Sequence, residues 1–156
     1  MVNNEITEII KKKIALNNFI DFEEFLKITL YDNKYGFYKK LDSSNFELIG
    51  SKGHFVTSPE ISQMFGELLA IWIIDFCSKL GTSTLNLVEL GPGKGTLMND
   101  ILRVINNQKF KQIKLNLFFL ETSKKLSKIQ SKKINGFKFK KSWYRNFSIL
   151  IKNLKK

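Results

Sequence analysis

Four isoleucines, Ile6, Ile9, Ile10 and Ile14, recur at helical spacing near the start of the chain and predict an amphipathic helix over residues 3–16. In DFEEFLKITL, residues 21–30, Asp21 suits an N-cap, and Phe22, Phe25, Leu26 and Thr29 share one side of a second short helix. YDNKYGFYKK then gathers three tyrosines and a phenylalanine around Gly36, which predicts a tight turn joining an extended piece and an aromatic patch of core. Further on, Ser58 before Pro59 and Glu60 is a helix start, since proline suits the first helical position and an early carboxylate complements the helix dipole. That helix is predicted over 59–80 and ends at GTSTLN; apolar residues nearly encircle it between Leu68 and Phe76, so it is expected to be largely buried.

After residue 84 the period changes. LNLVEL is a short apolar strand, TLMNDILRVI a helix with Leu97, Ile101, Leu102 and Ile105 on one face, and LNLFFLE a second buried strand. TSKKLSKIQSKKI reads as another helix and FKFKK as an alternating strand. Strands alternating with helices predict βαβ units and a parallel sheet. The expected organisation is an N-terminal helical and aromatic segment, 1–82, followed by an α/β half-domain, 83–156, with no internal repeat or low-complexity linker.

Composition narrows the classes. The chain has 156 residues, 43% of them hydrophobic, enough for an ordinary core. A single cysteine, Cys77, and a single histidine, His54, exclude an intrachain disulfide and a Cys/His zinc cluster, so no metal and a reducing compartment are expected. The uninterrupted apolar run Leu68–Ile74 is far shorter than the roughly 20 residues of a membrane span. The start carries Glu5 and Glu8 but no arginine, unlike a signal or transit peptide, and a cytoplasmic protein is expected.

The net charge of +12 is uneven. Through residue 102, 10 lysines face 13 acids; from Arg103 onward there are 16 lysines and arginines and one acid, Glu121. The basic final third fits either solvated lysine faces or an anion-binding surface.

The loop LVELGPGKGTL, residues 87–97, carries the chemistry. A glycine loop between a parallel strand and the next helix lets a ligand approach the backbone at the positive helix terminus. A nucleoside-triphosphate loop needs Ser or Thr after its lysine, but Lys94 precedes Gly95. A dinucleotide loop needs G-x-G-x-x-G, and Thr96 stands where the third glycine belongs. What remains is E-x-G-x-G-x-G, which resembles the first motif of class I S-adenosylmethionine-dependent methyltransferases. In that family the loop passes under the methionine part of the cofactor, and an acid at the end of the second strand takes the ribose hydroxyls. Glu121 occupies that place, 28 residues after Gly93, a spacing that the loop NNQKFKQ could absorb.

Together, YDNKYGFY, GHFVTSPEISQMFGELL, VELGPGKGTLMNDILR and FFLETS resemble, in this order, the N-terminal part of the MidA family over roughly residues 20–145. That family comprises counterparts of a mitochondrial protein arginine methyltransferase that assists assembly of respiratory complex I. The resemblance implies N-terminal helices followed by the first half, about three parallel strands, of a Rossmann-like class I methyltransferase fold. It implies S-adenosyl-L-methionine as cofactor, bound or shaped by Glu89, Gly91, Pro92, Gly93, Gly95, Thr96 and Glu121, with Thr57, Ser58 and Pro59 at the entrance. Its implied substrate is a protein arginine, with a respiratory complex I subunit as the candidate protein. Glu60 is the candidate to hold the guanidinium, or is simply a carboxylate at a helix N-terminus. His54 departs from the family's G-D-F-x-T-x-P-E pattern, where aspartate is expected.

The family's second half is missing, which leaves the first strand with an unpaired edge and implies a truncated or split gene product with a separately encoded remainder. Two other readings stand beside the enzyme: a catalytically inactive remnant or binding module, and a basic nucleic-acid-binding protein, although a nucleic-acid partner is not expected.

Overall fold

Asp21 caps its helix as its sequence position predicts. In the computed structural model, which describes residues 4–42, 50, 53–107 and 114–154, its Oδ1 accepts from the Glu24 amide at 2.7 Å. The chain divides into two units, Met1–Glu47 and Leu48–Lys156. In the first, α1 (Asn4–Asn17) buries Ile6 and α2 (Phe22–Tyr31) buries Ile28, and a Lys13–Glu24 ion pair links them. Phe22 lies on the outer side, 73% exposed.

The extended piece expected after the aromatic turn is instead a 3-10 helix, Phe37–Asp42. The Asp32 carboxylate accepts from the Lys34 and Tyr35 amides at 2.9 and 2.8 Å and so winds the chain into a further turn. Gly36 closes against that turn: a Cβ there would lie 2.5 Å from the Asp32 nitrogen. The aromatic patch is partly solvent-facing, with Tyr31 and Tyr38 stacked at 5.3 Å and Tyr31 exposed.

In the second unit the helix expected over 59–80 is two helices, α3 (Ser58–Ile61) and α4 (Gln63–Leu80). Ser62 breaks it: its backbone is extended and its hydroxyl accepts from the Met64 amide, so a second N-cap competes with helix continuation. α4 is less buried than its apolar content implied. Only Gly66, Ala70, Ile73 and Cys77, a single helical stripe, are buried, while Leu68 and Trp72 stand 59% and 60% exposed. The stripe packs on α5 (Thr96–Asn107) so tightly that a Cβ on Gly66 would lie 2.6 Å from the Asp100 Cβ. Leu69 and Ile74 flank the stripe, partly buried against the same core.

β1 (Thr84–Leu90), β2 (Lys114–Leu120) and β3 (Lys140–Tyr144) form a parallel sheet in that spatial order, and α6 (Lys124–Lys133) joins the last two. Register runs from Thr84 opposite Lys114 to Leu90 opposite Leu120, and from Asn116 opposite Lys140 to Leu120 opposite Tyr144. β3 starts three residues beyond the start of the alternating FKFKK segment; its pairing residues are KKSWY. The core lies where Leu115, Leu117 and Phe119 of β2 meet α4, α5 and Ile134. A last helix, α7 (Phe147–Leu154), not foreseen from the lysine-rich ending, packs against β2 and β3 and buries Leu150. Among the described residues β1 is paired on one side only, as expected of a half-sheet. The loop NNQKFKQ falls mostly outside the described residues.

Candidate functional site

Parallel pairing brings the carboxyl ends of β1 and β2 side by side. The ladder continues one step past each strand: the Gly91 amide donates to the Leu120 carbonyl at 3.0 Å and the Glu121 amide to the Tyr144 carbonyl at 2.8 Å. The glycine loop and the sole acid of the basic third therefore emerge together, at the end of the sheet where open α/β folds bind ligands.

Gly91, Gly93 and Gly95 all have positive φ, 66°, 55° and 74°. L-residues rarely adopt this region, so the alternation of glycines is a backbone requirement. The Gly95 amide closes the turn onto the Pro92 carbonyl at 2.8 Å, and the Gly95 carbonyl accepts from Asn99 at 3.2 Å to begin α5. A Cβ on Gly91 would meet nothing within 4 Å, whereas one on Gly95 would lie 3.2 Å from the Gln130 Cγ. The loop is open at its start and packed at its end.

Glu121 is only 6% exposed. Its Oε1 accepts from the Ser123 amide at 2.8 Å and its Oε2 from the Gln130 Nε2 at 3.0 Å. Ser123 also caps α6 by accepting from the Leu126 amide at 3.2 Å, so the turn that starts the helix also holds the acid. Gln130, fully buried, donates the same Nε2 to the Gly93 carbonyl at 2.8 Å and accepts from the Trp143 indole at 2.9 Å.

Glu89, the residue before the last of β1, has one carboxylate oxygen, Oε2, buried and without a hydrogen-bond partner. Burial pushes its pKa up to about 7, because loss of water disfavours the charged form. The chain unfolds to an ordinary carboxylate near 4.5, so between these values only the folded state holds the proton. The resulting stability, about 3 kcal/mol at full effect, is present below pH 4.5 and lost as pH rises through 7. Relative to a Glu89→Gln variant, the wild-type chain is therefore expected to gain stability as pH falls from 7 to 4.5. Denaturant unfolding of both across that range measures it, and parallel curves contradict the assignment.

Glu60 comes to the far end of the same loop. Its carboxylate accepts from the Thr96 hydroxyl, which itself accepts from the Lys133 Nζ at 2.7 Å. Thr57, the N-cap of α3, and Ser58 are exposed, and Pro59 is half-buried. α3 packs on α5, so Ser58, Pro59 and Glu60 sit on the element that leans on the helix opened by the loop, with Thr57 just before it. His54 is exposed. Among the described residues no group of three or more His, Cys, Asp or Glu side chains is placed to hold a metal ion, and no helix is long and apolar enough to cross a membrane.

Gln130, Ser123, Trp143 and Lys133 are the site residues that motif reading missed. One signal was available: Leu126, Gln130 and Ile134 recur every four residues and are all buried, so Gln130 is a polar residue on the core stripe of a lysine-rich helix.

A parallel sheet that presents a left-handed glycine loop beside a buried strand-end acid defines a Rossmann-like, cofactor-binding α/β protein. Residues 68–154 match a family model described as "Putative S-adenosyl-L-methionine-dependent methyltransferase", and the chain belongs to that family. The protein arginine methyltransferase NDUFAF7, mitochondrial, of Bos taurus is 42% identical over 135 residues, which are 83% of this chain and 30% of that protein. Its Homo sapiens counterpart is 44% identical over 122 residues, 76% of this chain and 26% of that protein. The chain thus spans about 30% of the length of the relatives it matches. A Burkholderia thailandensis protein crystallised with S-adenosyl-homocysteine shares the fold, with a TM-score of 0.72 at 21% identity over 92% of this chain and 37% of that one.

Proposed function

We propose that this chain forms the S-adenosyl-L-methionine-binding part of a protein arginine methyltransferase that serves respiratory complex I assembly. The observation that carries the reading is the pairing of the three left-handed glycines with Glu121, held one ladder step away at the next strand end. The residues present fit the cofactor. Gly91 faces open space, Glu121 offers a buried carboxylate to a ribose diol, and the unpartnered Oε2 of Glu89 suits a cationic amine. Gly91, Pro92, Gly93, Gly95 and Thr96 would shape the cradle at the α5 terminus, whose positive dipole end suits a ligand carboxylate.

When bound, S-adenosyl-L-methionine supplies a methyl group on a positively charged sulfur, open to attack by a nitrogen nucleophile. The protein's task is alignment and exclusion of water. Glu60, fixed by Thr96 at the end of the loop, is the residue we assign to hold a substrate guanidinium, with Thr57, Ser58 and Pro59 at the entrance. The names of the relatives support a protein arginine as acceptor, and we take a complex I subunit as the substrate. The free edge of β1 and the outward apolar side of α4 suit a complementary portion of the fold, such as a separately encoded C-terminal half.

The test is transfer of tritiated methyl from S-adenosyl-L-methionine to the proteins of a respiratory-membrane extract, with the chain supplemented by the C-terminal portion of a longer relative. Label recovered as methylarginine after acid hydrolysis is the expected result. Label in another residue overturns the arginine reading, and no label overturns the enzymatic one.

A further inference from the structure

We propose that Gln130 is a positioning residue that locks the glycine loop and Glu121 into one cradle, with Trp143 setting the orientation of its amide. The inference rests on the cofactor-binding reading above and adds to it the part that makes two separate chain segments act together.

The chemistry of the neighbours fixes which end of the amide points where. An indole N–H only donates, so the atom facing Trp143 Nε1 at 2.9 Å must be the amide oxygen. The Gly93 carbonyl only accepts, so it requires the nitrogen at 2.8 Å, and the same nitrogen then lies 3.0 Å from the accepting Oε2 of Glu121. One donor and two acceptors around a single amide leave one consistent arrangement, and it uses both N–H groups. Gln130 is fully buried, so water cannot replace any of these partners at low cost.

The side chain is also held from both flanks. Gly95 presses on it, with a Cβ there falling 3.2 to 3.4 Å from the Gln130 Cγ, Cα and Cβ. Trp143 is itself stacked on Phe119 at 4.9 Å, at the end of the core strand β2. Gln130 therefore links four elements, α6, the loop after β1, the loop after β2 and strand β3. The distance between the loop carbonyl and the carboxylate is set by the reach of one nitrogen. A ligand that spans from the glycine loop to Glu121 meets a gap already fixed before it binds, which lowers the cost of ordering.

Replacing the amide with an apolar side chain of similar length isolates this role. Gln130→Met retains the methylenes against Gly95 and a good helix former within α6. The variant is expected to bind S-adenosylhomocysteine roughly tenfold or more weakly. Packing loss alone would weaken the variant independently of Glu121, so the deciding readout is a double-mutant cycle with Glu121→Ala on ligand affinity. The Gln130→Met loss is expected to shrink by at least roughly threefold in the Glu121→Ala background.

If Gln130→Met does not fold, the wild-type chain still decides. With nitrogen-15 labelling, the Gln130 side-chain amide protons are expected to be protected from exchange and to shift on saturation with S-adenosylhomocysteine. Unchanged affinity in Gln130→Met, fully additive losses in the cycle, or side-chain amide signals indifferent to saturating ligand each overturn the proposal. Absence of ligand binding by the wild-type chain overturns the cofactor reading and this inference with it. Binding by wild type with any of the three contrary results overturns the inference alone.

Discussion

Gly95→Val is expected to abolish measurable binding of S-adenosylhomocysteine and to destabilise the Leu48–Lys156 unit by about 1–3 kcal/mol through backbone strain. Two effects act at once. The residue sits at φ 74°, where a β-branched side chain is strongly disfavoured, and its Cβ would enter the 3.2 Å gap to the Gln130 Cγ. Any relief by movement displaces Gln130, and with it the bonds to Gly93 and Glu121. Thermal melts beside calorimetric titration separate the two consequences. A variant that binds the ligand as the wild type does places the cofactor somewhere other than this loop.

Glu121→Ala is expected to weaken the same binding by about 1.5–3 kcal/mol, the ordinary worth of a hydrogen bond to a charged group. It also leaves the Ser123 amide and one Gln130 N–H without their acceptor in a buried place, so a lower melting temperature accompanies the loss. The binding effect is to be measured well below the midpoint of that melt, where the variant is folded. Unaltered affinity under those conditions removes Glu121 from the ribose site.

Much of this was legible in the sequence because the relevant constraints are local. Three glycines at alternate positions after an apolar strand announce left-handed turns, and the structure has all three with positive φ. The lone acid in a basic third stood out as Glu121, and register brings it one step from Gly91. Asp21 and Ser123 cap helices whose starts their identity marks.

What the sequence hid depended on contacts across the fold. α4 is apolar nearly all round between Leu68 and Phe76, and nothing in its pattern says that full burial falls on Gly66, Ala70, Ile73 and Cys77 alone. Ser62 breaks the expected helix by capping a new one, while the start at 58 lies one residue after Thr57, an N-cap whose side chain makes no capping bond; composition does not rank these starts. Gln130 belonged to a helix read as lysine-rich and polar; its role comes from meeting a carbonyl 37 residues earlier and an indole 13 residues later. Glu60 was foreseen as a substrate-holding carboxylate and Thr96 as part of the cofactor loop, but nothing in the sequence joined the two, and the tie runs through the Thr96 hydroxyl.

The raised pKa of Glu89 belongs with the hidden features, since motif spacing marks the residue and only the packed strand end shows that its second oxygen lacks a partner. A carboxylate left in that state before ligand arrives is a cost to the fold, and such costs concentrate where a binding partner later offsets them.

Whether the glycine loop and Glu121 form an S-adenosyl cradle before ligand arrives is decided by calorimetric titration of the monodisperse 156-residue chain with S-adenosylhomocysteine. A single site in the micromolar range, about −8 kcal/mol, is the expected result. A folded chain that takes up no ligand at millimolar concentration contradicts it, and leaves the glycine loop as shape without binding.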